Sequence, residues 1–520
     1  MTVSNSYPQN ARVSPRLSRT AMRRRLQRRN RKIERLQIQV DHLQEQNRAL
    51  TAKIDQAAQQ RQLDQQQLIL QQASQSITPP DLLQNDRPLP GHQFGIKLIA
   101  ASIELAKRIG FRATEFVWSF LFELLDIDLK VPSHDAIEQW TLRLGVSELQ
   151  DTFTKDQRVL WLADHSSQIG KERVLLIIGV ALEDLPPAGQ TLKLEHMKVL
   201  AIVPGEQWKK EDVEREYHKL AEKIGAPVYL LSDGASELRD PAESLEKDGK
   251  KTIVLGDLKH HAANLLEKEI GRSERFKAFM TEVGLTRNRV QQTELSHFNP
   301  PPVKQKSRFM NLGGLLSWSA MVLHHLNDPG SDARAGIDEK RMEEKLGWLR
   351  SFAEDLAQWK ACQTVIDQSL SVINHQGLSA TTPECLRRSL DALDVEQPSS
   401  ATPSSRIAGK LLQWVSQAAS SLHCGERAWL STEILESLFG RYKRLERQHS
   451  KGGFTRLIAA FPTLCFRVDG ESVRRGFGKV NAKELKAWLH AALPRTLASR
   501  RNSAYREYRS KSRDHISSAA

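Results

Sequence analysis

The sequence predicts an α/β core built on a mixed five-stranded sheet and interrupted by a large α-helical insertion. Three observations carry that expectation. Between Arg158 and Asp257, five short β-rich runs stand at 158–164, 173–183, 197–204, 228–233 and 252–257. The first three follow one another without a helix, whereas a helical pattern from Glu211 to Lys223 separates the third from the fourth and another, Lys259 to Ile270, follows the fifth. From Arg272 to Gly425 the strand signal gives way to long helical patterns carrying Trp318, Trp348, Trp359 and Trp414, most of which read as core residues.

Composition bounds what such a core can do. A chain of 520 residues with 39% hydrophobic content can fill several cores, and 76 Lys and Arg against 62 Asp and Glu leave a formal net charge of +14. That excess favours a polyanionic partner, nucleic acid before all others. The longest apolar run, Val174 to Leu182, is far short of the roughly 20 residues a membrane-spanning helix needs, so no membrane span is expected. The arginines near the N-terminus are not followed by an apolar segment, so no secretory leader is expected and a cytoplasmic location is, nucleoid-associated in a bacterial host. Cys362, Cys385, Cys424 and Cys465 show no C-x-x-C spacing, which points to reduced thiols and away from zinc or a disulfide framework.

The elements divide into 1–75, a basic arm and dimerising coiled coil; 76–92, a linker; and 93–150, a helical module. Next come 156–271, the first part of the core; 272–425, the helical insertion; 426–470, the second part of the core; and 471–520, a basic helical tail. In the arm, Arg23, Arg24, Arg25, Arg28 and Arg29 belong to a dense basic run suited to phosphate contact. Ile33, Val40, Asn47 and Ile54 then alternate with Leu36, Leu43, Leu50 and Ala57 at spacings of three and four, a two-stranded seam whose single polar a residue selects register. A basic helix running into such a seam resembles the basic leucine-zipper proteins, although their Asn-Ala-Ala-x-Ser/Cys-Arg base-reading core is absent.

In 93–150, Ile96, Ile99, Ile103 and Ala106 share one helical face, Thr114 to Leu125 forms a second helix, and Ser133 caps a third ending near Gly145. Three short helices with Pro132-Ser133 before the last resemble helix-turn-helix modules, which would place His134, Asp135, Glu138 and Gln139 on the recognition face; a plain helical spacer is the alternative.

Three carboxylates draw the chemistry together. Asp164 closes the first β-rich run, Asp233 closes the fourth, and Glu436 lies in Thr432-Glu-Ile-Leu-Glu-Ser-Leu-Phe-Gly-Arg-Tyr-Lys443. Taken singly, each has an ordinary reading, since Asp ends strands readily and a helical Glu is usually solvated. Together, the strand order, the two strand-end acids and this segment resemble DDE transposases of the bacterial insertion-sequence type, whose catalytic core has a ribonuclease H-like fold. Within that family's E-S-x-F-G-x-x-K pattern, Glu436 matches the third acid better than Glu433.

The resemblance implies a DNA transposase that cuts and joins strands by phosphodiester displacement, with transposon ends and target DNA as partners and a homodimer or larger synaptic complex as the assembly. It implies Mg2+ or Mn2+ in a two-metal site held by Asp164, Asp233 and Glu436, because hard cations bound by carboxylate oxygens can activate a hydroxyl and stabilise the leaving oxygen. Arg441 and Lys443, on the same helical segment as Glu436, would touch DNA phosphate. Asp257-Leu-Lys-His260 resembles the C/D-x-x-H segment of hobo/Activator-type transposases, which would set His260 at the scissile phosphate; a capped helix start explains the same residues. Two other functions stay open: a non-catalytic DNA-binding protein derived from a transposase, and a metal-dependent nuclease on the same fold.

Overall fold

The computed structural model describes residue 60 and residues 86–167, 173–205, 208–302, 309, 312–328, 339–393, 402–448, 456–493 and 503–509. The chain divides by contact into Met1–Asn85 and Asp86–Ala520. The basic arm with Arg23, Arg24, Arg25, Arg28 and Arg29, and the seam from Ile33 to Ala57, lie outside the described residues.

In the larger unit, helices α1 (Ile96–Ile109), α2 (Phe111–Leu124) and α3 (His134–Gln150) precede strands β1 (Val159–Ser167), β2 (Arg173–Ala181) and β3 (Lys198–Gly205). Helix α4 (Lys210–Ile224), strand β4 (Tyr229–Ser232), helix α5 (Ser236–Ala242), a small hairpin pairing Glu246–Lys247 with Lys250–Lys251, and strand β5 (Ile253–Gly256) follow. The five strands form one sheet in the order β3-β2-β1-β4-β5. β2 runs antiparallel to both β1 and β3, while β4 runs parallel to both β1 and β5, so the sheet is mixed as expected. Helix α5 and the small hairpin carried no sequence signal strong enough to anticipate.

Strict alternation along the central strands sends their side chains to two cores. Trp161, Ala163 and Leu230 pack with Val213, Tyr217 and Leu220 of α4 on one face. Leu160, Leu162, Tyr229 and Leu231 face the larger core on the other, with Leu142 and Leu144 of α3. All four of these β1 and β4 residues are fully buried, each worth roughly 1.5–3 kcal/mol of apolar transfer.

Helix α3 departs from the expected boundary. Ser133 does cap it, accepting from the Ala136 N–H at 3.3 Å, but the helix runs through Gly145 to Gln150. Gly145 is there for close packing rather than as a stop: a Cβ would stand 1.8 Å from the Ala459 carbonyl oxygen. The expected recognition face is also engaged, with His134 against Glu115 at 2.6 Å and Glu138 against Arg456, while Asp135 and Gln139 are exposed.

After β5 come helix α6 (Leu258–Leu266), which continues into a π turn at Glu267–Gly271, and then the helices of the insertion. These are α7 (Glu274–Val290), α8 (Leu312–Asn327), α9 (Glu339–Leu346), α10 (Ala353–Gln376), α11 (Thr382–Asp391) and α12 (Pro403–Ser421). Trp318 and Trp359 are buried in its core, and Trp414 stacks on His261 with ring centroids 4.6 Å apart. The chain then returns to the sheet in α13 (Glu433–Arg447), followed by a 3-10 segment (Arg456–Leu464), α14 (Gly470–Lys479) and α15 (Ala482–Ala492).

Candidate functional site

The parallel pairing of β1 with β4 sets Leu160 beside Tyr229 and Leu162 beside Leu231. Extended by two residues, the same register brings Asp164 level with Asp233, and alternation assigns both to the face of Leu162 and Leu231. Asp233 lies just past the end of β4, where its Oδ1 accepts from the Ala235 N–H at 2.9 Å. The turn depends on Gly234 at φ +91°. Asp164 accepts from the His165 N–H at 2.6 Å.

This pairing is electrostatically costly. Burial and then the Asp233 carboxylate push the Asp164 carboxyl up from 3.8 to about 7, with a smaller push from Glu436. The His260 side chain acts in the opposite sense. Next door, burial holds the His165 imidazole down at about 4, and its ring stacks on Trp208 at 5.7 Å. Among the described residues, none hydrogen-bonds the buried His165 Nε2.

How Glu436 reaches this point is answered by a set of ties between the sheet and the returning chain. Asp257, only 2% exposed, caps α6 by accepting from the His260 N–H at 2.7 Å. Its other oxygen accepts from the Thr432 N–H at 2.6 Å and the Thr432 hydroxyl at 2.8 Å. The Leu258 N–H donates to the Leu430 carbonyl at 2.8 Å. Tyr229 on β4 donates its hydroxyl to Glu426 at 2.7 Å and accepts from the His423 N–H at 3.0 Å, and Glu426 also pairs with Arg158. Helix α13 therefore begins against the end of β5 with its acids near the strand ends.

Asp257 is a capping acid, and it does more than cap. Burial works to raise its pKa, but the hydrogen bonds from His260 and Thr432 outweigh burial and hold it below the ordinary carboxylate range. The hydrogen bond to Asp257 at 2.9 Å in turn raises the His260 imidazole above its usual value, against burial, with help from Asp233 and Asp164. His260 is thus a cation-favouring group close to the paired acids.

Lys259, which no sequence pattern singled out, sits between the two candidate glutamates. Its ammonium lies 3.1 Å from Glu433 and 3.3 Å from Glu436. Burial works against the charge, yet Glu436 and Glu433 hold its pKa above the usual lysine value. Of the remaining sequence candidates, Arg441 donates to the Leu464 carbonyl at 3.0 Å, and Lys443 is exposed on α13. Among the described residues, no three His, Cys, Asp or Glu side chains gather closely enough to hold a metal ion as they stand.

The comparisons with known proteins add little. No protein-family model matches the sequence, and no curated protein does. Among solved structures, the Drosophila P element transposase strand transfer complex aligns with 81% of this chain and 100% of its own, at 12% identity and a TM-score of 0.37. That likeness is too loose to establish a common fold.

Proposed function

We propose that the chain is a DDE-type DNA transposase, with a ribonuclease H-like core, that cleaves and joins DNA strands by phosphodiester displacement. The observation that supports it most is the pair Asp164 and Asp233, level on adjacent parallel strands, with the Asp164 carboxyl pushed up to about 7 and Glu436 close enough to add to that push. A perturbed carboxyl set beside a second acid on an adjacent strand is a functional-site signature with a physical basis.

Magnesium or manganese fits the donor set: the groups are hard carboxylate oxygens, and the repulsion that disfavours ionised Asp164 is what a dication relieves. Asp164 and Asp233 would hold it, joined by Glu436 once that side chain leaves Lys259. When bound, such ions supply Lewis-acid stabilisation of the attacking and leaving oxygens. The residues around them have their own parts. His260, whose protonated form Asp257 favours, would donate to a phosphate oxygen. Asp257 fixes the His260 ring and anchors the start of α13. Lys259 offsets part of the charge of Glu433 and Glu436 until substrate and cation arrive.

One observation favours a second reading, a DNA-binding protein without catalysis: Glu436 is already satisfied by Lys259. A single experiment separates the alternatives. Wild type with end-labelled DNA and Mg2+ gives cleaved and joined products, and Asp164→Asn, Asp233→Asn and Glu436→Gln each lower cleavage by about a hundredfold or more while binding persists. Cleavage without joined products assigns a nuclease. No cleavage by wild type, or wild-type cleavage by Asp164→Asn, overturns the proposal.

A further inference from the structure

A groove of about 1200 Å3 opens on the side of α13 next to Glu433, walled by α1, the 191–195 loop, α13 and residues 464–467. Its charges do not balance. Each of its three acids is matched to an ammonium: Glu104 to Lys107, Glu195 to Lys193 at 3.5 Å, and Glu433 to Lys259 at 3.1 Å. Arg108, Arg441, Arg444 and Arg467 line the same groove, are exposed, and form no ion pair among the described residues. Four guanidinium groups therefore converge on a cavity whose own carboxylates are already spent. Guanidinium presents a rigid fork of donors that matches phosphate oxygens, and so large a cluster without counter-charge signals an anionic occupant.

We propose that this groove holds the sugar-phosphate backbone of a nucleic-acid strand flanking the candidate reaction centre. At about 1200 Å3 the groove has room for more than a lone phosphate, being larger than the roughly 300–1,000 Å3 usual for small-molecule pockets. Position argues for a polymer that continues to the acids. Helix α13 is shared, since Glu436 lies on it beside Glu433 and the arginines follow toward its C-terminal end. At 1.5 Å per residue, Arg444 stands about 12 Å along the helix from Glu436, roughly two backbone phosphates away. Arg444 therefore positions a strand and does not touch the reacting phosphate. This assignment rests on the proposed function only for the identity of the polymer; the charge imbalance stands without it.

The test uses the full chain in EDTA, so that no cleavage intervenes, with fluorescence anisotropy of a short oligothymidine and of a short duplex measured across a KCl series. Each phosphate contact contributes about 0.7–0.9 to the slope of log affinity against log salt. Arg444→Ala/Arg467→Ala is expected to lower that slope by about 1.5, on the single strand, the duplex or both according to which form the groove holds. Lys483→Ala/Lys486→Ala, on exposed positions of α15 away from the groove, is expected to leave it unchanged. An unaltered slope in the arginine pair, or an equal fall in the lysine pair, overturns the assignment. Asp164→Asn serves as the independent arm: it keeps the slope in EDTA, and its failure to abolish cleavage in a separate assay with Mg2+ would sink the catalytic reading while leaving the groove intact.

Discussion

Asp164→Asn should make the metal-free protein more stable at pH 8 and barely change it at pH 4. The Asp164 carboxyl titrates near 3.8 when unfolded and at about 7 when folded, so the folded state binds its proton more tightly. For a raised acid the sign is fixed: stability from this group is undiminished below 3.8, falls as pH rises through the window, and is lowest above about 7. Some three pH units correspond to a ceiling of roughly 4 kcal/mol. Asp164 is only half-buried and the Asp233 repulsion is screened by water and salt, so about half, roughly 2 kcal/mol, is the expected gain. For a unit of about 430 residues, with an unfolding entropy of roughly 2.1 cal/mol/K per residue, that gain raises the Tm by about 2 °C. Differential scanning fluorimetry in EDTA at pH 4 and pH 8 reads it directly. An equal shift at both pH values, or a less stable Asp164→Asn at pH 8, would refute the reasoning, because either requires that Asp164 is not a strained carboxylate.

Three further outcomes follow from the same geometry. Gly145→Ala should cost about 3 kcal/mol or more, since its Cβ would meet the Ala459 carbonyl at 1.8 Å; a wild-type urea midpoint would show that α3 and the 3-10 segment do not pack as described. Asp257→Ala removes the acceptor of the Thr432 N–H and hydroxyl and should cost about 3 kcal/mol, with new protease sensitivity near residues 423–432; an unchanged digestion pattern would separate Asp257 from the tie. Lys259→Met takes the ammonium from Glu433 and Glu436 and should tighten Mn2+ binding about tenfold by calorimetry; weaker binding would show that Lys259 does not compete with a cation.

The sheet was legible because its strands are long apolar runs that end in polar turns. The five expected runs coincide with the observed strands to within two residues at most ends, except that β1 continues past Asp164 to Ser167. Asp164 and Asp233 stood out in the sequence because each follows a run of apolar strand residues; in the fold Asp164 lies within β1 and Asp233 just past β4. The small hairpin was not, because two-residue arms lie below the length at which alternation can be recognised. Gly145 misled because a glycine that ends a helix and a glycine that admits a neighbouring carbonyl are identical in one dimension. Lys259, Thr432 and Tyr229 act across separations of roughly 175 to 195 residues, and no local pattern encodes a partner that far away. Of the groove arginines only Arg441 stood in a readable segment; Arg108, Arg444 and Arg467 carried no motif, and their convergence from three segments appears only in the fold.

The Asp257 to Thr432 tie also bears on when α13 can dock on the sheet. Asp257 leaves the ribosome 175 residues ahead of Thr432, a wait of roughly 9–35 s at ordinary elongation rates. During that time its carboxylate lacks the Thr432 N–H and hydroxyl, two of the donors that lower its pKa, and Glu436 has not yet been made. The sheet can form early from contacts close in sequence, while the acid cluster matures only after the whole insertion has been synthesised and has closed back on β5. A truncated or stalled product thus retains the strands yet lacks the Asp257 to Thr432 tie, so the long detour delays the closure of α13 on the sheet.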